Sequence, residues 1–188
     1  MTVQDLLRRL VEALGAAEIP YMLTGSYASS LHSIPRATRN IDIVLFPNRD
    51  QLTSFIQSLP ADRYHSDLMD AIAALRQRSQ FNVIDYTTGW KVDFIIPAFD
   101  EFHVEEFARR RTVTVAGPAL SVVSPEDIVL AKLLWAKAGE SERQIEDAAT
   151  VVRLQGSMLD LPYVEKWVRK LQVDEQWASA RTRAKTTE

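Results

Sequence analysis

Val3, Leu6, Leu7, Leu10, Val11 and Leu14 recur at helical spacing. The chain is therefore predicted to open with an amphipathic helix that Thr2 and Asp5 can cap and Gly15 can stop. Tyr21–Thr24 reads as a short buried strand after Pro20. Gly25 allows a tight turn, and Ser26 can cap a short helix running to about residue 31. Residues 41–46 read as the next strand, and Asn48 can cap a helix carrying Leu52, Phe55, Ile56 and Leu59. A short strand or loop near Tyr64 precedes a helix over 69–75. A hairpin follows, with strands over 81–86 and 90–96 around Thr87-Thr88-Gly89. Residues 100–110 read as a short helix, and 112–115 and 119–123 as short strands.

From Ser124 the period becomes helical throughout. Ser124-Pro125-Glu126-Asp127 combines a cap, a proline at the first helical position and carboxylates in the first turn. The helix over 128–138 is apolar nearly all round, so it should be buried. Ser141 and Gln144 form a second capping box ahead of a stripe of Ile145, Ala148, Ala149 and Val152, and Gly156 stops that helix. A third helix covers 160–171 and a fourth begins near Asp174, with a polar, frayed tail from Arg181. The pattern predicts an α+β protein. A small mixed sheet flanked by helices occupies residues 1–123, and a C-terminal helical bundle occupies 124–188.

Composition narrows the function classes. The 188 residues are 46% apolar and 25% charged, as in an ordinary globular protein. The net charge of −3 provides no global basic field for nucleic acid. The absence of cysteine excludes disulfides and thiolate metal sites and fits a reducing cytoplasm. The N-terminal helix is polar on one face and unlike a signal peptide, and no apolar run approaches membrane-spanning length.

The candidate chemistry lies in two strands that each carry a mid-strand aspartate. Alternation puts Asn40, Asp42 and Val44 on one face, and Lys91, Asp93 and Ile95 on one face of the later strand. A carboxylate there is costly unless something pairs with it. If the two strands are neighbours, both carboxylates converge in a way that suits Mg²⁺, which takes one or two carboxylates plus substrate phosphates. The Gly25-Ser26 turn offers backbone N–H groups at a helix start, a site for phosphate. Together these parts make a metal-assisted phosphoryl or nucleotidyl transfer site. The plainer alternative is a solvated sheet face on which the two aspartates pair with Arg39 or Lys91.

Thr24-Gly25-Ser26, followed by Pro35-Arg36-Ala37-Thr38-Arg39-Asn40-Ile41-Asp42-Ile43 and later Val92-Asp93-Phe94, resembles the signature of the nucleotidyltransferase (polymerase-beta-like) superfamily. The likeness is to its minimal and abortive-infection (AbiE-type) toxin branches. It implies a nucleotidyltransferase-type sheet and transfer of a nucleotide from an NTP to a hydroxyl of RNA, protein or a small molecule, with Mg²⁺ or Mn²⁺. A cognate antitoxin is then a possible partner. By the resemblance, Gly25 and Ser26 would hold the triphosphate. Asp42 and Asp93 would hold the metal, and Asp93 would help activate the acceptor hydroxyl. Lys132, and Arg143 with Asp147, resemble further positions of the toxin branch. In apolar company, the Lys132 ammonium needs a phosphate or an aspartate, or else it snorkels to solvent. Arg143 and Asp147 read first as an ordinary i,i+4 surface pair.

One position departs from the signature: Asn40 stands where the family has the first aspartate. An amide is a weaker metal ligand, so another acid such as Asp85 or Glu101 substitutes, one metal suffices, or catalysis is weakened and the protein binds nucleotide or a partner instead. The amide can still hydrogen-bond a phosphate or base. Arg36 and Arg39 flank the motif and can meet phosphate. His32, His65 and His103 lack metal-ligand spacing and read as surface or packing residues. Arg109-Arg110-Arg111 reads as a solvated helix end, and the four tryptophans as core or interface.

Overall fold

Thr2 and Asp5 cap each other: the Thr2 N–H donates to Asp5 Oδ2 at 2.9 Å, and the Asp5 N–H donates back to Thr2 Oγ1 at 3.3 Å. This starts α1 (Val3–Ala16), whose Leu6, Leu7, Leu10 and Leu14 are fully buried. Gly15 lies within the helix instead of ending it. The computed structural model describes residues 2–32, 40–114, 119–139 and 141–186. β1 (Tyr21–Thr24) leads directly into α2 (Gly25–His32), so Ser26 sits inside the helix and is not its cap. β2 (Asn40–Leu45), α3 (Arg49–Ser58), β3 (Tyr64–His65) and α4 (Leu68–Gln77) follow. Next come β4 (Gln80–Asp85), β5 (Lys91–Ile95), α5 (Glu101–Ala108), β6 (Arg111–Thr114) and β7 (Ala119–Val122). These elements match the hydrophobic pattern to within a few residues at their ends.

The strands form one seven-stranded sheet in the order β3-β4-β5-β2-β1-β7-β6. It is mixed: β2 runs parallel to β5 and β1 parallel to β7, while the other pairs are antiparallel. Its centre, β5-β2-β1, is where alternation gives way to nearly continuous apolar sequence, as burial on both faces requires. Among the described residues one apolar cluster runs from Leu6 to Ala180, so sheet and C-terminal helices share a core.

α6 (Pro125–Gly139) starts as its sequence indicates. The Ser124 hydroxyl lies 2.5 Å from Asp127 Oδ2 and accepts from the Asp127 N–H at 3.1 Å. α7 (Glu142–Gln155) has Ser141 at its cap position but no side-chain capping bond, so the expected capping box does not form. A 3₁₀ turn (Gly156–Met158), α8 (Leu161–Leu171) and α9 (Asp174–Thr186) complete the chain. The tail expected to fray from Arg181 is helical to Thr186. Arg181 faces Glu165 at 3.6 Å, and Arg183 pairs with Glu142 and Glu146.

Of the basic run expected as a solvated helix end, Arg110 and Arg111 are exposed past the end of α5, but Arg109 is drawn into a charge cluster. Arg109 reaches Asp127 and Glu126 at 3.3 Å each and lies 3.7 Å over the Tyr163 ring, while Arg111 reaches Glu126 at 3.3 Å. The Tyr163 hydroxyl donates to Asp127 at 2.6 Å. This cluster joins the end of α5 to α6 and α8. Glu106 on α5 is buried nearby, and burial, then the charges of Asp127 and Asp100, push its carboxyl up to about 8.

That shift has a consequence for stability. The folded state keeps the Glu106 proton up to about 8, against 4.5 for a free side chain. Its burial therefore adds no ionisation cost below 4.5, and stability is lost as pH rises through that window. Chemical denaturation from about pH 5 to about pH 8 should show the wild type losing stability relative to Glu106→Gln, by at most about 1.4 kcal/mol per pH unit. Parallel curves for the two proteins would contradict this.

Candidate active site

Strand register decides which side chains meet. In the parallel β2–β5 pair Asp42 is opposite Asp93 and Asn40 opposite Lys91; in the antiparallel β1–β2 pair Thr24 is opposite Asp42. Opposite residues share a face, and neighbouring strands lie about 4.8 Å apart. Asp42 and Asp93 therefore stand side by side.

Asn40 ties them together. Its Nδ2 donates to Asp42 Oδ1 at 3.1 Å and to Asp93 Oδ2 at 2.8 Å. An amide nitrogen has two hydrogens, and each carboxylate takes one. Lys91 Nζ lies 2.8 Å from Asp93 Oδ1. The Lys91 pairing expected of a solvated sheet face is thus present, but the face is not solvated: Asp93 is 6% exposed. Burial, and next the Asp93 charge, raise the Asp42 carboxyl above the ordinary range, while Lys132 and the Ser26 backbone N–H act the other way.

Gly25 makes the close approach possible. Its φ is +68°, and a Cβ placed there would lie 1.9 Å from Asp42 Oδ2. Any side chain would collide with the carboxylate and strain the backbone. The first turn of α2 thereby opens directly on Asp42.

Lys132 closes the other wall. It is 3% exposed, so it does not snorkel. Its Nζ lies 3.0 Å from Asp147 Oδ2 and 3.4 Å from Ser26 Oγ. Asp147 is itself buried, at 8%, and serves as this lysine's counter-ion, not as half of a surface pair with the exposed Arg143. Thr24, Gly25, Ser26, Asn40, Asp42, Asp93 and Lys132 line one cleft of about 290 Å³, together with Gln80, Ile95, Ile128, Ala131, Trp135 and Gln144.

Other expected residues lie elsewhere. Asp85 is on the opposite face of β4, fully buried, 3.2 Å from Arg9. Glu101 pairs with Lys170 at 2.6 Å at the start of α5. Neither supplies a third acid, and among the described residues no group of three or more His, Asp or Glu is placed to hold a metal ion. Arg36 and Arg39 lie outside the described residues. His32 Nε2 meets the Val123 carbonyl at 2.8 Å, a packing role. Of the tryptophans expected as core or interface, Trp167 and Trp177 are buried, while Trp135 is 60% exposed at the cleft. Gln80, Trp135 and Gln144 were not anticipated. Trp135 is three residues beyond Lys132 and Gln144 three before Asp147, so helical spacing alone points to the last two.

No family model and no curated protein matches the chain. Several solved structures share its fold. The antibiotic-resistance factor ANT(2'')-Ia, in solution, is 17% identical over 89% of this chain and 93% of its own, with a TM-score of 0.53. An antigenic nucleotidyltransferase-like protein from Paracoccidioides brasiliensis is 17% identical over 94% and 90%, with a TM-score of 0.55. ANT(2'')-Ia in complex with adenylyl-2''-tobramycin is 15% identical over 97% and 99%, with a TM-score of 0.50. The chain thus has the α+β fold of nucleotidyltransferases. Among its described residues no helix is long and apolar enough to cross a membrane.

Two substitutions separate the steric and electrostatic parts of the site. Gly25→Ala should destabilise the fold by about 2 kcal/mol or more, from left-handed strain and the clash with Asp42. Asp42→Asn should fold at least as stably as wild type, because it removes a half-buried charge that stands beside the buried Asp93. Thermal melts of both variants check this; equal losses of stability would contradict it.

Proposed function

We propose that the cleft binds a nucleoside triphosphate and transfers its nucleotide to an acceptor hydroxyl: the hydroxyl oxygen bonds to the α-phosphorus as the α–β phosphate bridge breaks, and pyrophosphate leaves. The observation that carries this reading is the side-by-side placement of Asp42 and Asp93 against the Gly25-Ser26 start of α2. The donor chemistry fits one divalent cation. Two adjacent carboxylates and phosphate oxygens form the hard oxygen set that Mg²⁺ or Mn²⁺ takes. Asp42 and Asp93 would hold the ion, and Asn40 has a carbonyl oxygen to offer once its amide turns. When bound, such an ion neutralises charge gathering on the phosphate oxygens.

The chain's own groups do the remainder. The first turn of α2 presents backbone N–H groups and the positive end of its dipole to the phosphates. Lys132, anchored by Asp147 and beside the Ser26 hydroxyl, brings a positive charge to the same place. Asp93 accepts the proton of the acceptor hydroxyl. Arg36 and Arg39 are further candidates to meet phosphate. The acceptor best supported is a small molecule: the chain is net acidic, which disfavours a long RNA footprint. ANT(2'')-Ia, which shares the fold, has been solved with a nucleotide joined to a small molecule, adenylyl-2''-tobramycin. The likeness of Lys132 and Asp147 to the toxin branch keeps an RNA or protein acceptor, and an antitoxin partner, as the alternative.

A second reading is favoured by Asn40, whose amide nitrogen lies between the two carboxylates. Here the protein binds nucleotide but transfers it slowly or not at all. Label transfer from the four NTPs with Mg²⁺, a panel of hydroxyl-bearing small molecules and cell extract separates the two. The transfer reading expects Asp42→Asn and Asp93→Asn each to lower the rate by about 10²–10⁴. Variants as active as wild type would contradict it. A silent wild type that gains activity as Asn40→Asp would establish the second reading.

A further inference from the structure

Above the Lys132–Asp147 pair, α6 and α7 carry a second rung. The chain doubles back between them, with the Ser141 N–H bonded to the Ala136 carbonyl at 3.2 Å. Three residues from Lys132 toward that turn is Trp135, and three residues from Asp147 toward it is Gln144. Positions three apart share a helix face about 5 Å apart, so the rungs are adjacent. Lys132 of the lower rung and both members of the upper one line the same cleft. The lower one touches Ser26; the upper one lies one helical turn further from the phosphate turn.

Each member of the upper rung is unusual by itself. Trp135 is 60% exposed on a helix that is otherwise mostly buried. Gln144 Oε1 is shielded from solvent and has no hydrogen-bond partner among the described residues. A buried acceptor without a donor costs about 1–3 kcal/mol, and an open indole face forgoes its contacts. One ligand relieves both: a flat ring on the indole whose edge carries an N–H to Gln144 Oε1, once that side chain turns its oxygen toward the cleft that it lines. Ile128 and Ala131 add apolar wall beneath it. The rung holds no charge, which suits a neutral base. A cationic acceptor would be better served by a carboxylate.

We propose that Trp135 and Gln144 form the nucleobase subsite of this cleft. The base stacks on Trp135 and donates a hydrogen bond to Gln144 Oε1, while its phosphates reach Gly25, Ser26 and Lys132. This assignment rests on the nucleotidyl transfer reading and adds to it where the base sits.

The test compares NTPs with inorganic tripolyphosphate, which has no base, by calorimetry in the presence of Mg²⁺. Wild type, Trp135→Ala, Trp135→Phe and Gln144→Ala are titrated with tripolyphosphate and with the NTP that wild type binds most tightly. Trp135→Ala and Gln144→Ala should weaken NTP by about tenfold or more, with Trp135→Phe retaining most of the affinity. Tripolyphosphate should bind all four proteins alike. NTP affinity unchanged by Trp135→Ala, or equal loss of NTP and tripolyphosphate, would overturn the subsite while leaving the transfer reading intact. A wild type that binds neither ligand would overturn the transfer reading and the subsite with it.

Discussion

Asp42 and Asp93 stand together because β2 and β5 run parallel in one register, Asp42 opposite Asp93. A slip of one residue would send one carboxylate to the other face of the sheet. Two neighbouring charges, Asp93 buried and Asp42 half-buried, oppose folding, and the surroundings show how the chain holds them. Asn40 gives one amide hydrogen to each, Lys91 pairs with Asp93, and the Ser26 N–H serves Asp42. An aspartate at position 40 would add a third charge where the amide now supplies two donors. Asn40, which stands where the signature that the sequence resembles has an aspartate, is thus the residue that links the two carboxylates. It can also turn an oxygen inward when a cation is present.

The helical half is joined to this centre by a second buried charge. Lys132 reaches past its counter-ion Asp147 to the Ser26 hydroxyl, and so links α6 and α7 to the start of α2. A buried ion pair is weak evidence for stability, because desolvation offsets much of its attraction. Its evident effect here is to fix the height at which α6 meets the sheet. That height places Trp135 and Gln144 over the cleft. At the far end of α6, Arg109, Glu126, Asp127 and Tyr163 hold the same helix against α5 and α8.

Much of this was legible in the residues because it is local. Caps at Thr2, Asn48 and Ser124, strand alternation around Asp42 and Asp93, and the turn at Gly25 depend on a few neighbours each. What depends on partners was not legible. Arg109 looks like part of a solvated basic run until α6 and α8 surround it with Glu126, Asp127 and Tyr163. Asp147 looks like the partner of Arg143 one turn away, yet it meets Lys132 fifteen residues back. Lys132 itself could be narrowed to needing an anion, but which anion was a matter of packing. Trp135 follows the apolar pattern of its helix, and periodicity alone leaves it as core or interface because it cannot tell a core face from the wall of a cleft.

The central claim is that Asp42 and Asp93 act as one oxygen pair toward a divalent cation and nucleotide. Mn²⁺ binding, followed by electron paramagnetic resonance with a non-hydrolysable NTP analogue present, reads that pair without requiring turnover or a known acceptor. The wild type should bind one ion per chain, with affinity weakened by at least about tenfold in both Asp42→Asn and Asp93→Asn. Mn²⁺ binding that is absent in the wild type, or unchanged in folded samples of the two variants, would contradict it.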